Sequence, residues 1–140
     1  MIANELIGHF FVYFNCFDGS KIIVRVTGFN DGIVYGDSEN GSHWCSIEKV
    51  EPIPITPEIL EKNGFIANKH VYTYPYYEYE NEEDKLKVGF AFPQGNRTSY
   101  KEPWVYIDSE RAFIEHLPCI YVHQLQQAMY SCGAKKEIIL

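Results

Sequence analysis

Histidine and cysteine side chains near the end of the chain are the residues whose chemistry could bind a metal. His116, Cys119 and His123 lie close together in the sequence, and Cys132 follows them. Imidazole and thiolate are good zinc ligands, but this spacing fits no standard zinc signature. On a helix His123 would also point away from the face that carries Cys132, so a common four-ligand shell is hard to build. The sequence predicts no metal site.

Nucleophilic catalysis would need a cysteine or serine beside a base. No local signature such as a nucleophile elbow occurs, although a Cys-His pair formed in space stays open. As candidate metal ligands, His43 and Cys45 share one side of a predicted strand, but no second pair accompanies them, and chance placement is the better account. No phosphate-binding glycine motif is present, and "DSENGS" lacks the ordered carboxylates of a calcium loop. The sequence therefore predicts no catalytic residue and no cofactor.

A run of tyrosines in "VYTYPYYEYENEED" offers binding chemistry instead. On an extended strand Tyr72, Tyr74 and Tyr76 would share one face, while Tyr77 and Tyr79 would share the other. Aromatic rings bind protein partners and stack on bases, but the glutamates that follow repel a phosphate chain. Three interpretations stay open: tyrosines that cover a small sheet with their hydroxyls in water, a protein-binding edge strand, and nucleic-acid binding.

The stretch "IYVHQLQQAMY" predicts a helix with two chemically different sides. One broad apolar arc, which we expect to face the core, comprises Tyr121, Val122, Leu125, Ala128, Met129 and Cys132. The polar side chains roughly opposite, which we expect to lie in solvent, are His123, Gln126, Gln127 and Tyr130, with Gln124 at the margin. This side is either a solvated helix face or a docking surface whose amides and imidazole bind a partner without desolvating a charge.

Composition and charge limit the classes of function. The chain has 140 residues, a formal net charge of −7 and only 12 basic residues, which argues against a phosphate backbone as its main partner. It begins "MIANELIGHFF", without the features of a signal peptide, and has no apolar stretch long enough to span a membrane. We therefore expect a cytoplasmic protein that does not enter the membrane. Its cysteines are expected to be reduced and mostly buried.

The first half of the chain predicts short strands joined by tight turns. In "KIIVRVTGFNDGIVYG" the apolar Ile22, Val24 and Val26 alternate with polar residues, and Asp31-Gly32, between two β-rich runs, favours a hairpin. Further turns are predicted at Asp18-Gly19 and Asn40-Gly41. Four such strands predict a small open β-barrel of the Src-homology-3-like kind over residues 1–54. Lys21 and Arg25, on one of these strands, provide the alternative of nucleic-acid binding.

A capped helix is predicted to join this lobe to a second one. In "VEPIPITPEILEKNGF" the prolines predict an extended connector, Thr56 is a good N-cap, Pro57 suits the first helical position and Gly64 ends the helix. Residues 55–140 are then predicted to form an α+β lobe, with an antiparallel sheet packed against the C-terminal helix. In it "RAFIEHL" predicts a strand or short helix, Gly133 ends the helix and "KEIIL" predicts a last short strand. The predicted fold class is α+β.

Two of these segments resemble a known family. The block "PIPITPEILEKNGF", followed much later by "YVHQLQ", is similar to the pattern of small uncharacterised proteins encoded in phages, prophages and mobile elements of gut anaerobes. The matching residues are Thr56, Glu58, Ile59, Leu60, Gly64 and Phe65 in the first block and Tyr121, Val122, His123, Gln124, Leu125 and Gln126 in the second. Gln127 stands where that family usually has Asn, and "AMYSCGA" replaces a more apolar helix end. The resemblance implies a phage or mobile-element accessory protein in a bacterial cytoplasm and carries no activity with it.

The leading functional hypothesis is a non-catalytic module that binds a protein, either a host factor or its own copy. Its predicted surface comprises His123, Gln124, Gln126, Gln127, Tyr130, Tyr72, Tyr74 and Tyr76. Binding of nucleic acid through the N-terminal lobe is the alternative, and an enzyme with Cys or His chemistry is the third.

Overall fold

The computed structural model describes residues 11–93 and 102–140. Its fold is α+β and mostly strand, with two antiparallel sheets of five strands each and two α-helices, which confirms the predicted class. The described residues divide into two compact units. The first contains residues 11–54 with Tyr121–Gln126, and the second contains residues 55–93, 102–120 and 127–140.

The first unit is built on one five-stranded sheet. Its strands are β1 (Phe11–Asn15), β2 (Lys21–Asn30), β3 (Ile33–Ser38), β4 (Gly41–Ser46) and β5 (Val50–Pro52), in the order β4-β3-β2-β1-β5. A 3-10 turn at Ile47–Lys49 leads into β5. Asp31 and Gly32 both have positive φ, 51° and 76°, as the predicted tight hairpin between β2 and β3 requires. Within residues 11–54 no closed barrel is found, so the Src-homology-3-like barrel stays a prediction.

One face of this sheet carries the core of the first unit. Alternate residues of three strands are fully buried, namely Val12, Phe14, Val24, Val26 and Val34. A β-bulge in β2 lies between Val26 and Gly28. Close by, a Cβ atom on Gly36 would collide with the Val24 side chain and the Arg25 carbonyl, so glycine lets β2 and β3 approach there.

The connector and the first helix form as their local sequence predicts. Helix α1 spans Pro57–Lys62, and the Thr56 hydroxyl accepts a hydrogen bond from the Ile59 N–H at 3.3 Å. Gly64 has φ of 88°, and the next residue, Phe65, donates its N–H to the Leu60 carbonyl at 3.0 Å. The predicted N-cap at Thr56, the proline at the first helical position and the stop at Gly64 are confirmed.

The second unit contains the other sheet. Its strands are β6 (Ile66–Ala67), β7 (Tyr76–Asn81), β8 (Leu86–Ala91), β9 (Trp104–Ser109) and β10 (Phe113–Pro118), in the order β10-β9-β8-β7-β6. The segment predicted as a strand or short helix is therefore the strand β10, and it contains a register shift between Ile114 and Leu117. His116, inside this irregularity, has a positive φ of 53°.

Helix α2 spans Val122–Ser131 and ends as predicted. Gly133 has φ of 92°, and Ala134 donates its N–H to the Met129 carbonyl at 3.0 Å, which closes the helix end. The predicted apolar arc is buried except for Tyr121, which is half-buried. No helix of the described segments is long and apolar enough to cross a membrane.

The predicted strand at "KEIIL" is wrong, because residues 134–140 form no strand. The Asn63 side chain binds this segment instead. Its Nδ2 donates to the Ile139 carbonyl at 2.7 Å, and its Oδ1 accepts from the Ile139 N–H, also at 2.7 Å. The Asn63 amide thus occupies the two backbone groups that Ile139 would otherwise use to pair with a neighbouring strand. The next residue back, Ile138, is buried.

Candidate interaction surfaces

The polar side of helix α2 is largely covered. His123 is 5% exposed and Gln126 is 1% exposed, so the prediction that they lie in solvent is wrong. Both belong to Tyr121–Gln126, the part of the helix that packs with the first unit. Amides and imidazoles are commonly buried when their polar atoms are satisfied, so polarity alone did not place these residues at the surface.

The other polar residues of the helix do not form one exposed surface either. The Gln124 Oε1 accepts a hydrogen bond from the Tyr121 N–H at 3.1 Å, which is one of the two bonds of a capping box. Tyr130 is half-buried, and Gln127 is exposed. Gln124 therefore has a structural role at the start of the helix, and Gln127 is the one residue of the predicted set that is exposed.

The tyrosines of the second unit form a packed cluster. Tyr72 stacks on Tyr74 with ring centroids 4.8 Å apart and meets the Tyr76 ring edge-on at 5.1 Å. Tyr74 and Tyr76 are buried, and beneath them Trp104 is only 2% exposed, with the His116 ring 4.5 Å away. Only Tyr76 belongs to a strand, so the prediction that all three lie on one extended strand is wrong. Of the three interpretations, the packing agrees with tyrosines that cover a sheet.

Burial favours the neutral form of one tyrosine in this cluster. Desolvation, with a smaller contribution from Glu78, raises the pKa of Tyr76 to about 12. The Tyr76 ring lies over Gly89, where a Cβ atom would collide with it. The cluster is thus a closely fitted part of the second unit.

A surface that the sequence predictions missed lies on the outer face of the first sheet. Trp44 on β4 is 69% exposed, and Tyr35, directly opposite it on β3, is 40% exposed. Ile23, on the same face of β2, is 45% exposed. We call Tyr35 and Trp44 the outer aromatic face. The alternation of buried Val34 and Gly36 with Tyr35 contained this signal, because strand neighbours of core residues point outward.

Strand β4 borders this face and lies at the end of the sheet order. It pairs with β3 residue by residue, from Ser38 opposite Gly41 to Ile33 opposite Ser46, without a register shift. The sequence of β4, "GSHWCS", contains no charged residue and no proline. Charges, prolines and bulges are the features that usually prevent other chains from pairing with an edge strand.

A cavity of about 370 Å³ opens at β4 and is lined by residues from both faces of this strand. Its lining is mostly apolar and includes Phe14, Ile22, Trp44 and Cys45, together with the basic Lys49. His43 also lines it, and its Nε2 lies 2.6 Å from the Ser38 hydroxyl. Burial raises the pKa of the Cys45 thiol, and nearby Cys16 adds to the shift, so Cys45 is the protonated thiol rather than a nucleophilic thiolate.

Charge around the first sheet is predominantly acidic. Residues 11–54 contain six acidic residues (Asp18, Asp31, Asp37, Glu39, Glu48, Glu51) and three basic ones (Lys21, Arg25, Lys49). The Lys21 ammonium lies 2.6 Å from the Glu51 carboxylate, and Arg25 is paired in register with Asp37. The two cations that suggested nucleic-acid binding therefore each have an acidic neighbour, which weakens their attraction for phosphate.

Within residues 11–93 and 102–140, no three His, Cys, Asp or Glu side chains come close enough to hold a metal ion. All four cysteines are free thiols, with Cys16 and Cys45 half-buried and Cys119 and Cys132 buried. Comparisons of the chain with protein-family models, with curated proteins and with solved structures found no match.

Proposed function

We propose that the protein is a non-catalytic module that binds another protein through the outer aromatic face of its first sheet. The observation that carries this proposal is the Trp44–Tyr35 pair, which lies directly opposite across two strands and remains exposed to solvent. Scattered exposed apolar residues are normal on a soluble protein. Adjacent large ones on one sheet face are typical of binding surfaces, where tryptophan and tyrosine contribute most of the affinity.

The same proposal includes a phage or mobile-element origin and a Src-homology-3-like first lobe. The two sequence blocks similar to that family form the α1 cap and the start of α2, which are structural elements, so the resemblance supports a shared fold rather than a shared binding face.

Strand β2 is ten residues long and contains a bulge between Val26 and Gly28. Bulges increase local twist and bending, which supports a strongly bent sheet of the barrel kind.

Affinity capture from a bacterial lysate tests the binding role with matched variants. The double variant Tyr35→Ser/Trp44→Ser should lose the captured protein while its melting temperature stays close to that of the unmodified chain, because both side chains are exposed. The control is Phe113→Ser, which removes from the second unit an aromatic ring of intermediate exposure, 58% against 69% for Trp44 and 40% for Tyr35.

The control variant should capture the partner as the unmodified chain does. Equal capture by all three proteins would show that the outer aromatic face does not bind it. A light-scattering mass twice that of the chain, reduced to one chain by the double variant, would identify the partner as a second copy.

A further inference from the structure

We propose that a partner binds the first sheet by strand addition. An extended basic segment of another protein pairs with β4, beside the outer aromatic face, and places a large apolar side chain in the cavity next to β4. This inference rests on the proposed function, because it names the binding mode and the chemistry of the partner at the same sheet.

The edges of the two sheets differ in how well they are protected. Strand β5 has three residues and ends at Pro52, and β6 has two residues. Strand β10 contains a register shift, ends at Pro118 and includes Glu115. Among the described strands, β4 alone combines an end position, six residues in unbroken register and a sequence without charge or proline. Its outward N–H and C=O groups are thus suited to pair with an added strand.

The side chains of an added strand would meet different surroundings on the two faces of β4. Successive residues of a strand point to opposite faces, so one set would lie over Trp44 on the outer aromatic face. The other set would lie on the side of His43 and Cys45, where the cavity of about 370 Å³ opens among Phe14 and Ile22. Backbone pairing then provides affinity, and the cavity selects a segment with a large apolar residue at one position.

Charge determines which segment fits. The turn between β3 and β4 includes Glu39, Asp37 lies before it opposite Arg25, and Glu48 follows β4 beside Lys49, so acidic residues outnumber basic ones here. Basic side chains flanking the apolar residue would be attracted to these carboxylates. A second copy of the chain is disfavoured, because each copy has a net charge of −7 and paired β4 edges would bring the acidic hairpins together.

A synthetic peptide provides the probe. We choose an acetylated and amidated heptapeptide with the sequence Lys-Val-Lys-Phe-Lys-Val-Lys, labelled with a fluorophore and measured by anisotropy against the full chain. Two N-methylated forms, each blocking alternate backbone N–H groups, remove the strand's hydrogen bonds in one phase or the other. A form with Glu in place of Lys tests charge, and a form with Ala in place of Phe tests the cavity.

Strand addition predicts that one N-methylated form loses about ten-fold or more in affinity while the other binds much as the parent does. The Glu form should not bind. The Ala form should bind more weakly to the unmodified chain, and Cys45→Met, which fills part of the cavity, should remove that difference. Ser42→Ala, on the same strand but outside the cavity lining, should preserve it.

Binding of the parent peptide weaker than about 1 mM, or equal binding by both N-methylated forms, would overturn the inference. If both N-methylated peptides bind equally but neither binds the Tyr35→Ser/Trp44→Ser variant, strand addition is rejected and the proposed binding face is kept. A dimer in solution that the parent peptide dissociates would instead assign β4 to a second copy. If the double variant captures the same protein from lysate as the unmodified chain does, the binding face itself is rejected.

Discussion

Replacement of Asn63 by alanine should destabilise the second unit by a predictable amount. The Asn63 side chain is 3% exposed and makes three hydrogen bonds, to the Ile59 carbonyl at 2.8 Å and to both backbone groups of Ile139 at 2.7 Å. The Ile59 carbonyl also accepts the Asn63 N–H at 3.2 Å, so it keeps a partner in the variant. Ile139 is 55% exposed, so water can reach its freed groups.

The loss is therefore close to the net value of the bonds rather than the full penalty of buried unpaired groups. At about 1 kcal/mol for each bond, Asn63→Ala should reduce the free energy of unfolding by about 2–3 kcal/mol. Urea denaturation followed by circular dichroism measures this change. Asn15→Ala is the matched control, because the Asn15 side chain bonds only at the exposed surface, to the Lys49 carbonyl and the Glu51 carboxylate, and its loss should cost under about 0.5 kcal/mol.

Asn63→Asp sharpens the test. A carboxylate can still accept from the Ile139 N–H but faces the Ile59 and Ile139 carbonyls without a proton to donate. Its cost should therefore exceed that of alanine at neutral pH and decrease at low pH, where the protonated carboxyl donates again. If Asn63→Ala lies within about 0.5 kcal/mol of the unmodified chain, the amide does not hold the C-terminal segment.

Three further predictions concern buried groups. Gly89→Ala should displace the Tyr76 ring and destabilise the protein by about 1–3 kcal/mol, with a weaker near-ultraviolet circular dichroism signal; an unchanged signal would contradict the contact. Tyr76 has a pKa of about 12 in the folded protein and near 10 when unfolded, so the unfolded chain binds fewer protons between these values and stability should fall as pH rises from 10 to 12. Tyr76→Phe should lessen that fall, and an identical pH dependence in both proteins would refute the assignment. Cys119 and Cys132 should resist a thiol reagent in the native protein, while Cys16 reacts and Cys45, whose raised pKa favours the thiol, reacts more slowly; modification of all four at one rate would contradict this order.

Features determined by neighbouring residues could be predicted from the sequence. The Thr56 cap, Pro57 at the first position and Gly64 at the stop are local, because each acts on backbone groups within one or two turns. The Asp31-Gly32 hairpin is local in the same sense, since it depends on two residues that accept positive φ.

Features determined by distant residues could not be predicted from the sequence. The burial of His123 and Gln126 depends on the packing of Tyr121–Gln126 with the first unit, which a helical wheel does not contain. The C-terminal segment has the composition of a strand, but Asn63, far away in sequence, takes the backbone groups of Ile139.

The outer aromatic face was missed for a different reason. Its members alternate with core residues on separate strands, and they become one surface only once the pairing of β3 with β4 is known. Tyr35 and Trp44 gave no clustered signal in the sequence, whereas the tyrosine run did and proved to be packed.

Amide hydrogen exchange of the full chain, with and without the captured partner, tests the central claim most directly. Binding at the first sheet predicts slower exchange at Ile33–Ser38 and Gly41–Ser46, the two strands that carry Tyr35 and Trp44. Strand β10, Phe113–Pro118, is the internal control and should exchange at an unchanged rate. Protection confined to β10 or to the tyrosine cluster, with β4 exchanging as in the free protein, would contradict the account.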